Sequence, residues 1–213
     1  SGPGPPLSGP RRDQPGPQHP AVEEPEVPAR PAPFRPSGQD ALAPPGTGAK
    51  LRANLDALSV LNRCREEGGR WAGVDEQAVL ARWSGWGAIP QVFDDTDDRY
   101  VDERAELRRL LRTEDGWAQA RRTTLNAHYT SASVVAAMWH ATGALGADAD
   151  LRVLEPGCGS GNFISFSPPG AQLTGVELDQ TTAEIAKHLY GARATIHATA
   201  FEELRVEDGA FDV

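Results

Sequence analysis

Residues 151–163 read Leu-Arg-Val-Leu-Glu-Pro-Gly-Cys-Gly-Ser-Gly-Asn-Phe, and this stretch decides the fold. Residues 152–154 predict a short strand, and Glu155 places a carboxylate at its end. The turn that follows alternates glycine with other residues, at Gly157, Gly159 and Gly161. Such a backbone can adopt positive φ and lie close against a ligand. The next two residues should begin a helix, so the turn is typical of a nucleotide site at the carboxyl end of a parallel sheet.

The residues after the turn alternate between strand and helix signals. Residues 172–178 and 194–198 predict a second and a third strand, separated by a helix over 181–190. A fourth strand should begin near 211. Strands that alternate with helices indicate right-handed crossovers and a parallel sheet. We therefore predict a Rossmann-like α/β sheet, and we expect it to be incomplete because the chain ends as the fourth strand begins.

An acidic residue stands where a ribose would be bound. Glu177 lies at the end of the second strand, and an acid at this separation from the turn accepts hydrogen bonds from ribose hydroxyls. The G-x-G-x-G pattern lacks the third spaced glycine of a nicotinamide fingerprint, which favours a single nucleoside without a pyrophosphate. S-adenosylmethionine fits better than a nicotinamide cofactor, with its adenine beside Leu178 and Phe201.

The first half of the chain has a different composition. Residues 1–48 hold 14 of the 18 prolines and few large apolar side chains. They cannot bury enough apolar surface to order themselves, so they predict a disordered tail. A proline-rich ligand for a partner domain is the alternative. Residues 49–126 predict a helical region, and residues 127–213 predict the first half of a cofactor-binding domain. The predicted helices cover residues 51–67, 75–83, 101–112 and 114–125, with Thr113 as an N-cap.

Two features of the helical region have competing interpretations. The tryptophan-glycine run at 82–87 is favoured as a packed corner over a platform for base stacking, because buried aromatics are the commoner case. Five arginines follow two of the helices: Arg108, Arg109, Arg112, Arg121 and Arg122. They would either meet a phosphate backbone or form a solvated face paired with Glu103, Glu106 and Glu114.

Net charge, cysteine content and hydropathy argue against several classes of protein. The net charge is −9, and residues 1–50 are balanced, so the acidic excess lies in residues 51–213. This argues against a simple basic nucleic-acid-binding module, although DNA remains open as a substrate. Two cysteines make neither a disulfide framework nor a metal site. No apolar run reaches the roughly 18 residues of a membrane span, so we expect a cytoplasmic protein without membrane contact.

Longer runs of sequence carry a resemblance. Residues 127–131, Ala-His-Tyr-Thr-Ser, followed by 154–163 and 175–179, resemble the amino-terminal half of a DNA adenine methyltransferase whose cofactor motif precedes its catalytic motif. The runs at 82–87 and 120–130 resemble, more narrowly, the large methylase–helicase proteins of phages, plasmids and other mobile elements. The resemblance covers about residues 50–213. It implies a class I methyltransferase fold and methyl transfer from S-adenosylmethionine to the exocyclic amine of adenine in DNA.

The resemblance also implies roles for individual residues. Tyr129 and Thr130 would lie over the methionine end of the cofactor, and Glu177 would hold the ribose diol. The cofactor floor would be the turn and its flanks: Glu155, Pro156, Gly157, Gly159, Gly161, Asn162 and Phe163. The aspartate that the family offers to the adenine amine is replaced by Ala200. Recognition of adenine would then depend on stacking and backbone groups.

The catalytic motif of the family lies after the fourth strand. There an Asn-Pro-Pro-aromatic motif orients the target amine and stacks on the flipped base. This chain ends at Val213, so we expect a fragment with no catalytic residue, inactive by itself, in which DNA is bound mostly by other parts and a helicase domain follows. The alternatives are a methyltransferase acting on RNA or protein, and a mobile-element helicase or anti-restriction protein in which this domain only binds nucleotide.

Overall fold

The computed structural model describes residue 2 and residues 30–125, 129–144 and 150–213 of the 213-residue chain. Its helices in chain order are α1 (Thr47–Glu66), α2 (Val74–Leu80), α3 (Val101–Leu111), α4 (Glu114–Arg122), α5 (Ala132–Ala144), α6 (Asn162–Ser165) and α7 (Gln180–Tyr190). Its strands are β1 (Arg152–Glu155), β2 (Gln172–Glu177) and β3 (Ala194–Ala198). Within the described ranges, each helix is too short or too polar to cross a membrane.

The strands form a parallel sheet in the order β1–β2–β3. Glu155 pairs with Gly175, and Glu177 pairs with Ala198, so the strands end at the same edge. The last residues of the chain follow the other side of β1, where the amide of Leu154 donates to the Val213 carbonyl at 2.8 Å. The predicted start of a fourth strand is therefore hydrogen-bonded to β1. These pairings confirm the predicted α/β fold class.

The helical region is organised around the buried face of α1. Asn54 on this helix is fully buried, and its amide donates to the Gly85 carbonyl at 2.6 Å. The same side chain accepts the Ser84 amide at 2.9 Å, which fixes the tryptophan-glycine turn against α1. A buried amide that satisfies both its donor and its acceptor in this way stabilises one turn geometry.

An aromatic ladder continues from this turn to α4. Trp83, Trp86, Phe93 and Trp117 meet edge to face in sequence, with ring centroids 5.5, 5.5 and 4.8 Å apart. All four rings are buried. The packed-corner interpretation of the tryptophan run is thereby confirmed, because the indoles fill the space between helices.

Helix α7 joins the helical region to the sheet. The indole nitrogen of Trp83 donates to the Thr182 hydroxyl at 3.0 Å. At the other end of α7, the Ala72 amide donates to Nδ1 of His188 at 3.1 Å, and burial lowers the pKa of that imidazole. Gln77 donates to the His188 carbonyl at 3.0 Å. The helical region and the sheet, which were predicted as separate regions, therefore share one hydrophobic core.

Residues 30–48 require a correction to the predicted tail. The Phe34 amide donates to the Leu189 carbonyl at 2.9 Å, and Leu42 is buried in the core. The Gln39 side chain accepts the Ala132 amide at 2.9 Å, and α1 already begins at Thr47. The prediction of disorder is wrong for residues 30–48, because a few apolar anchors suffice to seat a proline-rich segment. Apart from residue 2, residues 1–29 lie outside the described part of the chain.

An ion-pair cluster at the start of α2 predicts a pH dependence. Glu76 accepts hydrogen bonds from Arg70 at 2.6 Å and from the Gly73 amide at 3.0 Å, and Arg70 holds the pKa of Glu76 at about 2. A lowered folded-state pKa adds stability above the ordinary carboxyl pKa, and this contribution is lost as the pH falls towards 2. Urea unfolding between pH 6 and 2.5 should therefore show a smaller loss of stability for Glu76→Gln than for the wild type. Equal pH profiles would contradict this assignment.

Candidate cofactor site

The glycine turn is tied to the next strand along the sheet. The Cys158 amide donates to the Val176 carbonyl at 2.9 Å, which brings the turn over the carboxyl end of β2. Gly159 has φ +54° and Gly161 has φ +98°, both in the region that favours glycine. Cys158 packs against Gly175, where an added Cβ would lie 2.8 Å from its sulfur. Close packing of turn and strand thus depends on small residues on both sides.

Glu177 links the turn to the start of α7. One carboxylate oxygen accepts the Gly159 amide at 3.0 Å, and the other accepts the Asp179 amide at 2.8 Å. Burial raises the pKa of Glu177, and the hydrogen bonds from these two amides oppose that shift. Each oxygen retains a second lone pair on a carboxylate that borders a cleft. The side chain is therefore placed to accept further hydroxyl donors.

Tyr129 covers the turn from the side of the helical region. Its ring lies so close to Gly159 that an added Cβ there would be 3.1 Å from Cε1. Burial raises the pKa of its hydroxyl. The following residue is held too, because the Asn162 amide donates to the Thr130 carbonyl at 2.9 Å. The Tyr-Thr pair is thus fixed against the glycine turn, and its contact with the methionine end of a cofactor stays a prediction.

A cleft of about 790 Å³ opens beside these residues. This volume lies within the range of roughly 300–1,000 Å³ that is typical of small-molecule sites. Seven of the twelve predicted site residues line it: Tyr129, Pro156, Gly157, Gly159, Glu177, Leu178 and Phe201. The structure thereby brings the turn, the predicted ribose acid and the predicted adenine neighbours to one cavity.

The other five predicted residues lie behind the lining. Gly161 packs on the Tyr190 ring, and Asn162 anchors Thr130 through its side chain. The Phe163 carbonyl accepts the indole N–H of Trp139 at 2.9 Å. Glu155 is half-buried at the end of β1, where burial raises its pKa. Direct contact of these five residues with a cofactor stays a prediction, whereas their contacts in the structure support the walls.

Sequence reasoning missed one wall of the cleft. Four residues of the helical region contribute to it: Gly85, Gln119, Arg122 and Thr123. The loop after β3 adds Thr199, Ala200 and Glu202, and the start of α7 adds Asp179, Gln180 and Thr182. The runs at 82–87 and 120–130 contain three of these four residues, and Gln119 directly precedes the second run. These runs were the sequence feature that could have indicated the missed wall. No spacing rule, however, indicates that they face the sheet.

Two side chains near the turn have structural roles. Asp179 caps α7, because its carboxylate accepts the Thr182 amide at 2.8 Å and the Thr182 hydroxyl at 2.7 Å. Cys158 is buried, and burial raises the pKa of its thiol to about 12, so it is not a thiolate nucleophile. No cluster of His, Cys, Asp and Glu suited to a metal ion occurs among the described residues. His128, considered as a general base, lies outside them.

Comparisons with known proteins find a similarity in the segment that contains the sheet and its turn. Residues 154–213 match the model of a family described as a methyltransferase domain. A solved structure of a proposed class I S-adenosylmethionine-dependent methyltransferase from Listeria monocytogenes is similar at 13% identity, with a TM-score of 0.32. The match covers 74% of this chain and 56% of that chain, so this chain spans about half of that protein. No curated protein matches the chain.

The residues of the cleft fit S-adenosylmethionine. Gly157 lines the cleft, and among the described residues, its two chain neighbours aside, no atom comes within 4 Å of a Cβ placed there, which leaves room for a ligand against the backbone. Leu178 is 67% exposed and Phe201 is 49% exposed, so both present apolar surface for an adenine ring. Glu177 offers acceptors for a ribose diol and a negative charge near a sulfonium ion. The residues of the cleft thus fit S-adenosylmethionine, and residues 154–213 are similar to a methyltransferase domain.

Proposed function

We propose that this chain is the cofactor-binding part of an enzyme that methylates the exocyclic amine of adenine in DNA. The observation that carries the proposal is the position of the Tyr129-Thr130 pair. Tyr129 packs on Gly159, and Asn162 binds the Thr130 carbonyl, so the pair that the resemblance assigns to the methionine end lies against the glycine turn. The same resemblance supplies DNA adenine as the acceptor.

The contribution of these residues would be alignment. S-adenosylmethionine supplies an electrophilic methyl group when it is bound. Glu177 fixes the turn and α7 relative to each other through two backbone amides, and Tyr129 closes the turn from the opposite side. Two reactants held in line gain a large effective concentration without further chemistry by the protein. The groups that orient the target amine are proposed to lie outside this cleft.

The acceptor is tested with the full-length gene product and isotopically labelled S-adenosylmethionine. We expect label in DNA, recovered as N6-methyladenine by mass spectrometry of the nucleosides. Label in RNA, in protein or in methylcytosine would refute DNA adenine as the acceptor. If the protein binds the cofactor but transfers no label to DNA, RNA or protein, the proposal of a methyltransferase is refuted. The alternative of a domain that only binds nucleotide is then favoured.

The chain of residues 1–213 provides a second test. We expect it to bind S-adenosylmethionine in calorimetry and to leave DNA unmethylated. Methylation of DNA by this chain alone would contradict the proposal that the acceptor site lies elsewhere. A helicase domain in the same protein is likewise proposed. Nucleotide hydrolysis by the full-length protein that DNA does not stimulate would count against it.

A further inference from the structure

We propose that Arg122, on the helical region, binds the carboxylate of the methionine moiety of S-adenosylmethionine. The inference rests on the cofactor assignment and is independent of the methyl acceptor. It makes α4 a functional wall of the cofactor cleft, although this helix lies outside the matched methyltransferase segment.

One face of α4 is turned to the cleft. Gln119, Arg122 and Thr123 all line the cavity, and they stand at positions i, i+3 and i+4, which share one side of a helix. The opposite side carries Trp117 and Ala120, which are buried in the core. Because the cleft face and the core face are distinct, the approach of Arg122 to the cavity follows from the packing of α4.

The position of α4 is fixed relative to the sheet. Trp117 ends the aromatic ladder that begins at Trp83, and Trp83 donates to Thr182 on α7. The guanidinium of Arg108 stacks on Trp117 at 3.9 Å from the ring centroid. Buried aromatic contacts in series hold α4 across the cleft from α7, so Arg122 is presented by a rigid element.

The charged side chains of the cleft suggest which group of the cofactor Arg122 would bind. Its described lining contains three carboxylates, Glu177, Asp179 and Glu202, and Arg122 is the one basic side chain there. The sulfonium and ammonium groups of the cofactor suit the carboxylates. The cofactor carboxylate would be repelled by them and needs a positive partner, and guanidinium groups bind carboxylates with two parallel hydrogen bonds.

Ion pairing within the protein leaves Arg122 available for this role. In the part of the chain that the structure describes, Arg108 pairs with Asp95 and Glu114, and Arg112 pairs with Glu66. No carboxylate of the described residues lies within 4 Å of the Arg122 guanidinium. Of the pairing predicted with Glu103, Glu106 and Glu114, the structure shows Arg108 with Glu114, whereas Arg112 pairs with Glu66. Neither ion pair explains the position of Arg122.

The test compares S-adenosylmethionine with its decarboxylated analogue, which lacks only the carboxylate. For Arg122→Gln, calorimetry should show at least about a tenfold weaker affinity for S-adenosylmethionine, as expected for a lost charge-assisted hydrogen bond. The affinity for the decarboxylated analogue should not fall. Arg122→Lys should recover part of the loss because it keeps the positive charge.

Arg121→Gln is the matched control, since this neighbour is exposed and does not line the cleft. We expect it to bind both ligands like the wild type. The proposal is overturned if Arg122→Gln binds S-adenosylmethionine like the wild type. It is also overturned if the substitution weakens the affinity for both ligands by the same factor. A loss of DNA affinity alone, with unchanged cofactor affinity, would also overturn it and would assign Arg122 to a substrate phosphate. Unchanged thermal unfolding verifies that each variant is folded.

Discussion

Replacement of Gly161 by alanine is expected to lower the free energy of unfolding by about 3 kcal/mol. Gly161 has φ +98°, and a Cβ placed there would lie 2.5 Å from the ring of Tyr190. Left-handed backbone costs an L-residue roughly 1–2 kcal/mol, and overpacking of a core costs roughly 1–3 kcal/mol. Tyr190 cannot move aside easily, since its side chain is fully buried in the core. Urea unfolding measures the loss.

Gly157→Ala is the control for this prediction. Gly157 has no positive φ, and apart from its two chain neighbours no atom in the described part of the chain lies within 4 Å of the added Cβ. Its unfolding free energy should change by less than about 0.5 kcal/mol, which is typical of substitutions without a specific mechanism. Because Gly157 lines the cleft, its effect should appear in cofactor affinity. Equal destabilisation by the two alanines would show that Tyr190 does not constrain the turn.

This pair of glycines shows what a motif leaves undetermined. The alternation at 157, 159 and 161 predicts a tight turn near a ligand, and the structure places a turn there. The motif treats the three positions alike. Gly157 is open to the cleft, Gly159 lies under Tyr129 and Gly161 packs on Tyr190. Both aromatic neighbours are distant in sequence, so only tertiary structure assigns each glycine its constraint.

Local patterns predicted the elements around the sheet well. The third strand has the predicted bounds, Ala194–Ala198, and Thr113 caps α4 by accepting the Gly116 amide at 3.0 Å. These features depend on propensity and hydrogen bonds within a few residues. The predicted second helix ended three residues too late. Its end at Leu80 is set by the turn that Asn54 holds from another helix.

The arrangement of elements relative to one another was beyond such patterns. Periodicity identifies the apolar face of α4 through Trp117 and Ala120, but it does not say that the sheet lies opposite Arg122. The average composition of residues 1–48 likewise does not reveal that Phe34 and Leu42 attach residues 30–48 to the core. In both cases the deciding contacts join residues that are far apart along the chain.

Glu177→Ala should cause the largest loss of cofactor affinity, on the order of a hundredfold or more, because two hydroxyl hydrogen bonds to a charged acceptor would be lost. The substitution also leaves the Gly159 and Asp179 amides without their acceptor, which loosens the turn. Glu202→Gln removes the charge of another carboxylate in the cleft and should have a smaller effect. Calorimetry with S-adenosylmethionine measures both variants.

An analogue without the ribose hydroxyls separates the two causes of this loss. If Glu177 holds the diol, the wild type should bind the analogue weakly, and Glu177→Ala should lose little further affinity for it. An equally large loss for both ligands would show that Glu177 acts only by shaping the turn. Affinity should also depend on pH, because burial raises the pKa of Glu177 and hydroxyl donors favour its ionised form. Wild-type affinity for S-adenosylmethionine should therefore increase as the pH rises through that pKa, and Glu177→Gln should lose this increase.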